Sequence, residues 1–159
     1  MRLHLIRLAC LVLVSVPPAT AAPAGNTPAP EISYEADHLA LRGYDATAYF
    51  QQGKAQRGTT AHQLHYKGAT WLFLSAENLA KFKADPAAYA PQFGGHCAWA
   101  TSQGYLAPGD PEQWRIVEGK LYVNFNAHAK ELWEADLPDA IERGNANWPS
   151  VLTQNQDSN

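Results

Sequence analysis

Cys97 is the only cysteine beyond residue 21 of this 159-residue chain. No internal disulfide can close a fold built from those residues, so cohesion must come from a packed core. The first 21 residues stand apart because they read as an export leader. Arg2 and Arg7 form a positive n-region, Leu8 to Val16 an apolar stretch, and Ala19-Thr20-Ala21 the small residues that a signal peptidase needs before Ala22. Pro17 and Pro18 break the apolar run well short of the roughly 20 residues that cross a bilayer. No later segment approaches that length. The expectation is a periplasmic or secreted protein with no membrane span. Cleavage would also remove Cys10 and the only methionine.

The material for a core is aromatic. Five Trp, seven Tyr and five Phe accompany 46% hydrophobic and 17% charged residues, which is enough apolar volume for one ordinary domain and too little charge for a disordered chain. Net charge is −3, and it becomes more negative when Arg2 and Arg7 leave. With no basic patch suited to a phosphate backbone, nucleic acid is not an expected partner.

Residues 22–31 are small, Pro-rich and nearly uncharged, as in a flexible spacer, and 153–159 read as a polar tail. Between them, 32–152 are expected to form one small α+β domain with two β-hairpins packed against several short helices. Gly43 to Phe50 combines a turn signal with β-branched and aromatic residues. His62–Tyr66, a Lys67-Gly68 turn and Thr70–Leu74 predict the first hairpin. Ser75 is a good N-cap for a helix to about Ala84, and Pro86 opens a shorter one through Tyr89. After the Gly94-Gly95 pair, Cys97 is placed near a helix start. Tyr105 to Trp114 reads as a loop, and Arg115–Glu118, Gly119-Lys120 and Leu121–Asn124 as the second hairpin. Asn126 caps a helix from Ala127 to about Ala135, and another runs from Pro138 to near Gly144. No internal repeat of useful length is evident, and phosphate-loop, dinucleotide and zinc-finger patterns are absent.

Candidate chemistry centres on Cys97. A thiolate beside the imidazole of His96 offers a soft and a borderline ligand, which suits copper or zinc better than calcium or magnesium. His62 and His65 lie three residues apart on a predicted strand and so face opposite ways unless the strand bulges. His128 approaches from the other half of the chain. The loss of methionine removes thioether clusters and the usual axial ligand of a blue-copper site. Two other readings stand beside the metal one. Cys97 is a small buried apolar group in a structural or small-molecule-binding module, with the tryptophans and Tyr105 as core or pocket walls. Or it is the nucleophile of a thiol-dependent enzyme; no Cys-x-x-Cys pair exists, and no third group is identified to orient a base.

The run Tyr66-Lys67-Gly68-Ala69-Thr70-Trp71-Leu72-Phe73-Leu74-Ser75-Ala76-Glu77-Asn78, followed by Phe82-Lys83-Ala84-Asp85-Pro86-Ala87-Ala88-Tyr89, resembles a YHS domain. With Gly43-Tyr44-Asp45, Tyr49-Phe50, Phe93-Gly94-Gly95, Cys97-Ala98, Asp110-Pro111, Trp114 and Asn147-Trp148-Pro149, it is similar to exported bacterial YHS-domain proteins from about Leu41 to Pro149. The resemblance implies a treble-clef-like module of the kind found beside copper-transporting ATPases and in metal sensors. It therefore implies a non-enzymatic protein that binds a transition-metal ion, copper first and zinc as the alternative. In metal-binding relatives a Phe-Cys-Ser segment is followed by a second Cys three residues on; Leu74 and Asn78 stand at those two positions here. The metal set expected in this chain is therefore Cys97, His96, His62, His65 and His128.

Overall fold

In the computed structural model, which describes residues 28–154, Lys67 and Gly68 both have positive φ (50° and 77°). That geometry suits a two-residue hairpin turn, and it folds strand β1 (Thr59–Tyr66) back on β2 (Ala69–Phe73). Glu118 and Gly119 repeat it (50° and 73°) between β3 (Asp110–Val117) and β4 (Lys120–Asn124). Around the two antiparallel hairpins lie short helices: α1 (Ala48–Gln52), α2 (Ala76–Ala84), α3 (Pro86–Tyr89), α4 (Ala98–Ser102), α5 (Ala127–Ala135), α6 (Asp139–Asn147) and α7 (Val151–Gln154). The architecture is α+β, as the sequence predicts. The leader, residues 22–27 of the spacer and residues 155–159 of the tail lie outside the described residues. No described helix is long and apolar enough to cross a membrane.

The absence of an internal repeat does not survive in the structure. Each unit opens with a 3₁₀ turn holding three successive positive-φ residues: Leu41, Arg42 and Gly43 in the first, Phe93, Gly94 and Gly95 in the second. An extended pair follows, Tyr44-Asp45 or His96-Cys97, and the second residue donates its N–H across the chain, Asp45 to Gln56 O and Cys97 to Ala107 O, each at 2.8 Å. Then come a five-residue helix, an eight-residue strand with a register shift near its start, a five-residue strand and a capped nine-residue helix. Thr59 corresponds to Asp110, and Ser75 to Asn126. The side chains that make the match are few. Trp71 packs on Phe82 with ring centroids 4.8 Å apart, and at the equivalent places Tyr122 packs on Trp133 at 5.1 Å. At Gly58 and at its equivalent Gly109, a Cβ would collide with the neighbouring strand. A repeat carried by backbone geometry and two aromatic pairs leaves little identity for a sequence comparison to find.

The units share one interior. Leu121 and Val123 of β4 belong to the buried cluster of Trp71, Phe73 and Phe82, while Phe93, Tyr122, Trp133 and Ala140 form a second cluster. Tyr49 crosses between units, its hydroxyl donating to Pro111 O at 3.0 Å and its ring meeting the Trp114 edge at 5.1 Å. Burial holds its pKa far above the ordinary phenol range, which keeps the hydroxyl a donor.

Three local expectations change. Thr47 to Gln52 forms a helical turn where β-branched and aromatic residues suggested extended chain, because Asp45 takes the Thr47 N–H at 2.8 Å and starts a turn. The second hairpin begins at Asp110, earlier than predicted, since Pro111 sits within the register shift between Asp110 and Trp114, where strands tolerate it. Helix α6 continues past Gly144, whose lack of a side chain admits the Phe93 ring.

Asp45 is fully buried, and four donors converge on it. Oδ1 accepts from Thr47 N (2.8 Å) and Thr47 Oγ1 (2.6 Å), and Oδ2 from Leu74 N (2.8 Å) and Asn78 Nδ2 (2.7 Å). Replacing it leaves buried donors without acceptors. Asp45→Ala is expected to lower stability by about 3–5 kcal/mol, read as a shift in the urea unfolding midpoint. A loss below about 1 kcal/mol would show the network to be dispensable.

Candidate functional site

His96 is extended (ψ 157°) and Cys97 caps the next helix (φ −57°, ψ 120°), and the two adjacent residues line different hollows. Adjacency in sequence thus separates them in space. His96 turns toward the N-terminal segment. Its Nε2 lies 3.0 Å from Pro30 O, which can only accept, so that nitrogen carries the hydrogen. Its ring faces Trp148 at 5.9 Å, and the side chain is buried. Desolvation pushes its pKa below the ordinary imidazole value, outweighing the Pro30 bond that favours the charged form. The residues around Pro30, read as the end of a spacer, are docked here: Ala29 N–H donates to Leu152 O at 2.8 Å.

Cys97 turns the other way, to the floor of a cleft of about 340 Å³ walled by Trp99, Tyr105, Phe125, Ala129 and Leu132, with His128 also lining it. Cys97 caps α4, its sulfur accepting from Ala100 N–H at 3.5 Å. Its S–H points to Asn124 Oδ1 at 3.7 Å, and the same oxygen accepts Trp99 N–H at 3.0 Å. Only 1% of Cys97 is exposed. Asn124 Nδ2 is buried and finds no acceptor among the described residues.

Of the five ligands expected from sequence, the structure brings two to one place, Cys97 and His128. His96 lines a different hollow, with Pro30, Tyr34 and Pro108. His62 and His65 lie on β1, where half-buried residues alternate with exposed ones; His62 shares the inner face with Leu64 and Tyr66, and His65 is exposed. The register shift falls between Thr59 and Gln63 and so spans His62, yet His62 stays half-buried and His65 exposed. Among the described residues, no three His, Cys, Asp or Glu side chains gather as a metal-holding group. Leu74 and Asn78 both serve Asp45.

The cleft residues Phe125, Ala129 and Leu132 are absent from the sequence reading. Two signals point to them. Leu132 and Trp133 are neighbours about 100° apart on a helix, so both cannot enter the core; Trp133 does and Leu132 does not. Phe125 follows strand residues Leu121–Asn124 and precedes the cap Asn126, so it leaves the sheet on the solvent side. The repeat explains the hollow itself. Cys97, Phe125 and Ala129 are the counterparts of Asp45, Leu74 and Asn78. In the first unit the Asn78 side chain fills the space beside Asp45; in the second, Ala129 is too short to reach Cys97 in the same way.

The buried neutral imidazole has a consequence for pH. As pH falls below the ordinary imidazole range, the unfolded chain takes a proton before folded His96 does, so stability is complete above that range and declines on the acid side. In metal-free protein, His96→Gln is expected to flatten the change in urea midpoint between about pH 7.5 and 5.5. An unaltered slope would place His96 in water.

Residues 48–93 match the family model described as YHS domain. No curated protein and no solved structure matches the chain. The matched span runs from α1 to the second 3₁₀ turn, so it contains His62, His65, Leu74 and Asn78 and stops short of His96, Cys97 and the cleft. The YHS family is one of metal-binding modules, and that agrees with a metal-handling role. The matched YHS-domain segment is followed in this chain by a second unit of like architecture.

Proposed function

We propose that this protein is an exported, non-enzymatic metal-handling module that takes Cu(I) in the cleft over Cys97. The observation that carries the reading is that the lone thiol beyond the leader and the His128 imidazole line one cleft. Thiolate is a soft donor and imidazole a borderline one, and Cu(I), with its filled d shell, accepts two ligands. Tetrahedral zinc sites use three or four protein ligands, and among the described residues no third His, Cys, Asp or Glu joins these two. Donor number therefore favours copper over zinc. His96, His62 and His65 fall outside this pair.

The non-enzymatic part is supported by the surroundings of the sulfur. Cys97 is only 1% exposed, and among the described residues no carboxylate lines the cleft to orient an imidazole as base. Export is supported by Arg2, Arg7, the apolar run and Ala19-Thr20-Ala21.

Copper competes with protons for its ligands, so apparent affinity is expected to rise with pH. The test is a Cu(I) titration of purified mature protein against a competing chelator, run beside Cys97→Ala, His128→Ala and His96→Ala. Cys97→Ala should abolish competition, His128→Ala should weaken it at least tenfold, and His96→Ala should leave it intact. Equal affinity in the wild type and Cys97→Ala would remove the sulfur from the site.

A further inference from the structure

We infer that the cleft over Cys97 is also a binding site for a small, flat, uncharged aromatic molecule, a ligand that does not depend on the copper reading. Three observations converge on it. The large hydrophobic side chains left exposed among the described residues are Tyr105 (46%), Phe125 (49%) and Leu132 (38%), and all three line this one cleft. Apolar surface concentrated at a concavity marks a recognition site more strongly than the same residues scattered would. Second, no Lys, Arg, Asp or Glu lines it, which disfavours phosphates, carboxylates and ammonium ligands. Third, at the same place in the first unit the Asn78 side chain reaches Asp45, whereas its counterpart Ala129 lines the open cleft.

Size and shape narrow the class. At about 340 Å³ the cleft lies near the lower end of ligand cavities and equals the share of about 11 liquid water molecules, room for one or two fused rings. Trp99, Tyr105 and Phe125 offer aromatic surfaces for stacked or edge contacts, and the Cys97 sulfur lies at the floor, where sulfur–ring contacts are favourable. Asn126 and His128 at the wall supply polar partners for a single N–H or O–H.

Indole is the probe. Added to ¹⁵N-labelled mature protein without metal, it is expected to shift the amides of Ala100, Ala129 and Leu132 saturably, while benzoate, flat but anionic, binds at least tenfold more weakly. Ala129→Trp, which fills the cleft, and Leu132→Lys, a change at an exposed position, should each weaken indole at least tenfold; Leu132→Lys covers the case in which the larger side chain prevents folding. Leu132→Lys keeps both proposed copper ligands and should still compete for Cu(I) while losing indole, so the two proposals fail separately. Shifts that do not saturate, equal affinity in Leu132→Lys, or light scattering that shows a dimer dissociated by Leu132→Lys would overturn the inference, the last by making a second copy the occupant.

Discussion

The first unit is organised around a carboxylate with no access to water. Asp45 ties its own turn to the Thr47 amide and hydroxyl, and its second oxygen ties that turn to the end of β2 and the first turn of α2. The turn at Asp45 and the strand-to-helix junction 29 to 33 residues later are thereby fixed at one point. Hydrophobic burial of Trp71, Phe73 and Phe82 supplies cohesion but little direction. The polar knot supplies the direction, because four donors and two oxygens fit only one arrangement of the segments.

The second unit reaches a similar shape with different chemistry at that point. Cys97 offers one weak acceptor and one weak donor in place of two strong acceptors, and it bonds to Ala100 N–H and Asn124 Oδ1. Asn124, from the strand, takes over part of what Asp45 does by receiving the Trp99 N–H. Since no long polar side chain from α5 is needed to complete the knot, Ala129 suffices there, and the sulfur opens onto a hollow. The resemblance to metal-binding modules implies thiolates at the positions held here by Leu74 and Asn78. In this chain those positions are committed to cohesion, and the remaining thiol lies in the other unit.

Much of the fold was legible in the residues because local rules set it. Ser75 and Asn126 cap the helices they were expected to cap, accepting from Asn78 N and Ala129 N, and Lys67-Gly68 turns the first hairpin. The turn of the second hairpin falls on Glu118-Gly119, one residue before the Gly119-Lys120 reading, since a two-residue turn with both φ positive tolerates glycine at its second position. The site was legible only in part. Which histidine shares a cleft with Cys97 depends on the backbone at 96–97, which sends neighbours apart, and on α5 folding back over the sulfur. Those are tertiary facts that spacing does not encode. The duplication stayed hidden for a related reason: it is written in left-handed turns and strand lengths, which many residue combinations satisfy.

The shared interior bears on where a boundary can be drawn. Val123, from the last strand of the second unit, lies in the same buried cluster as Trp71, and Tyr49 reaches across to Pro111. The segment recognised as a YHS domain ends at residue 93, in the middle of this interior. A polypeptide terminated there would present the flank of Trp71 and Phe73 to solvent, so the stretch visible to family comparison is shorter than the smallest piece of this chain able to stand alone.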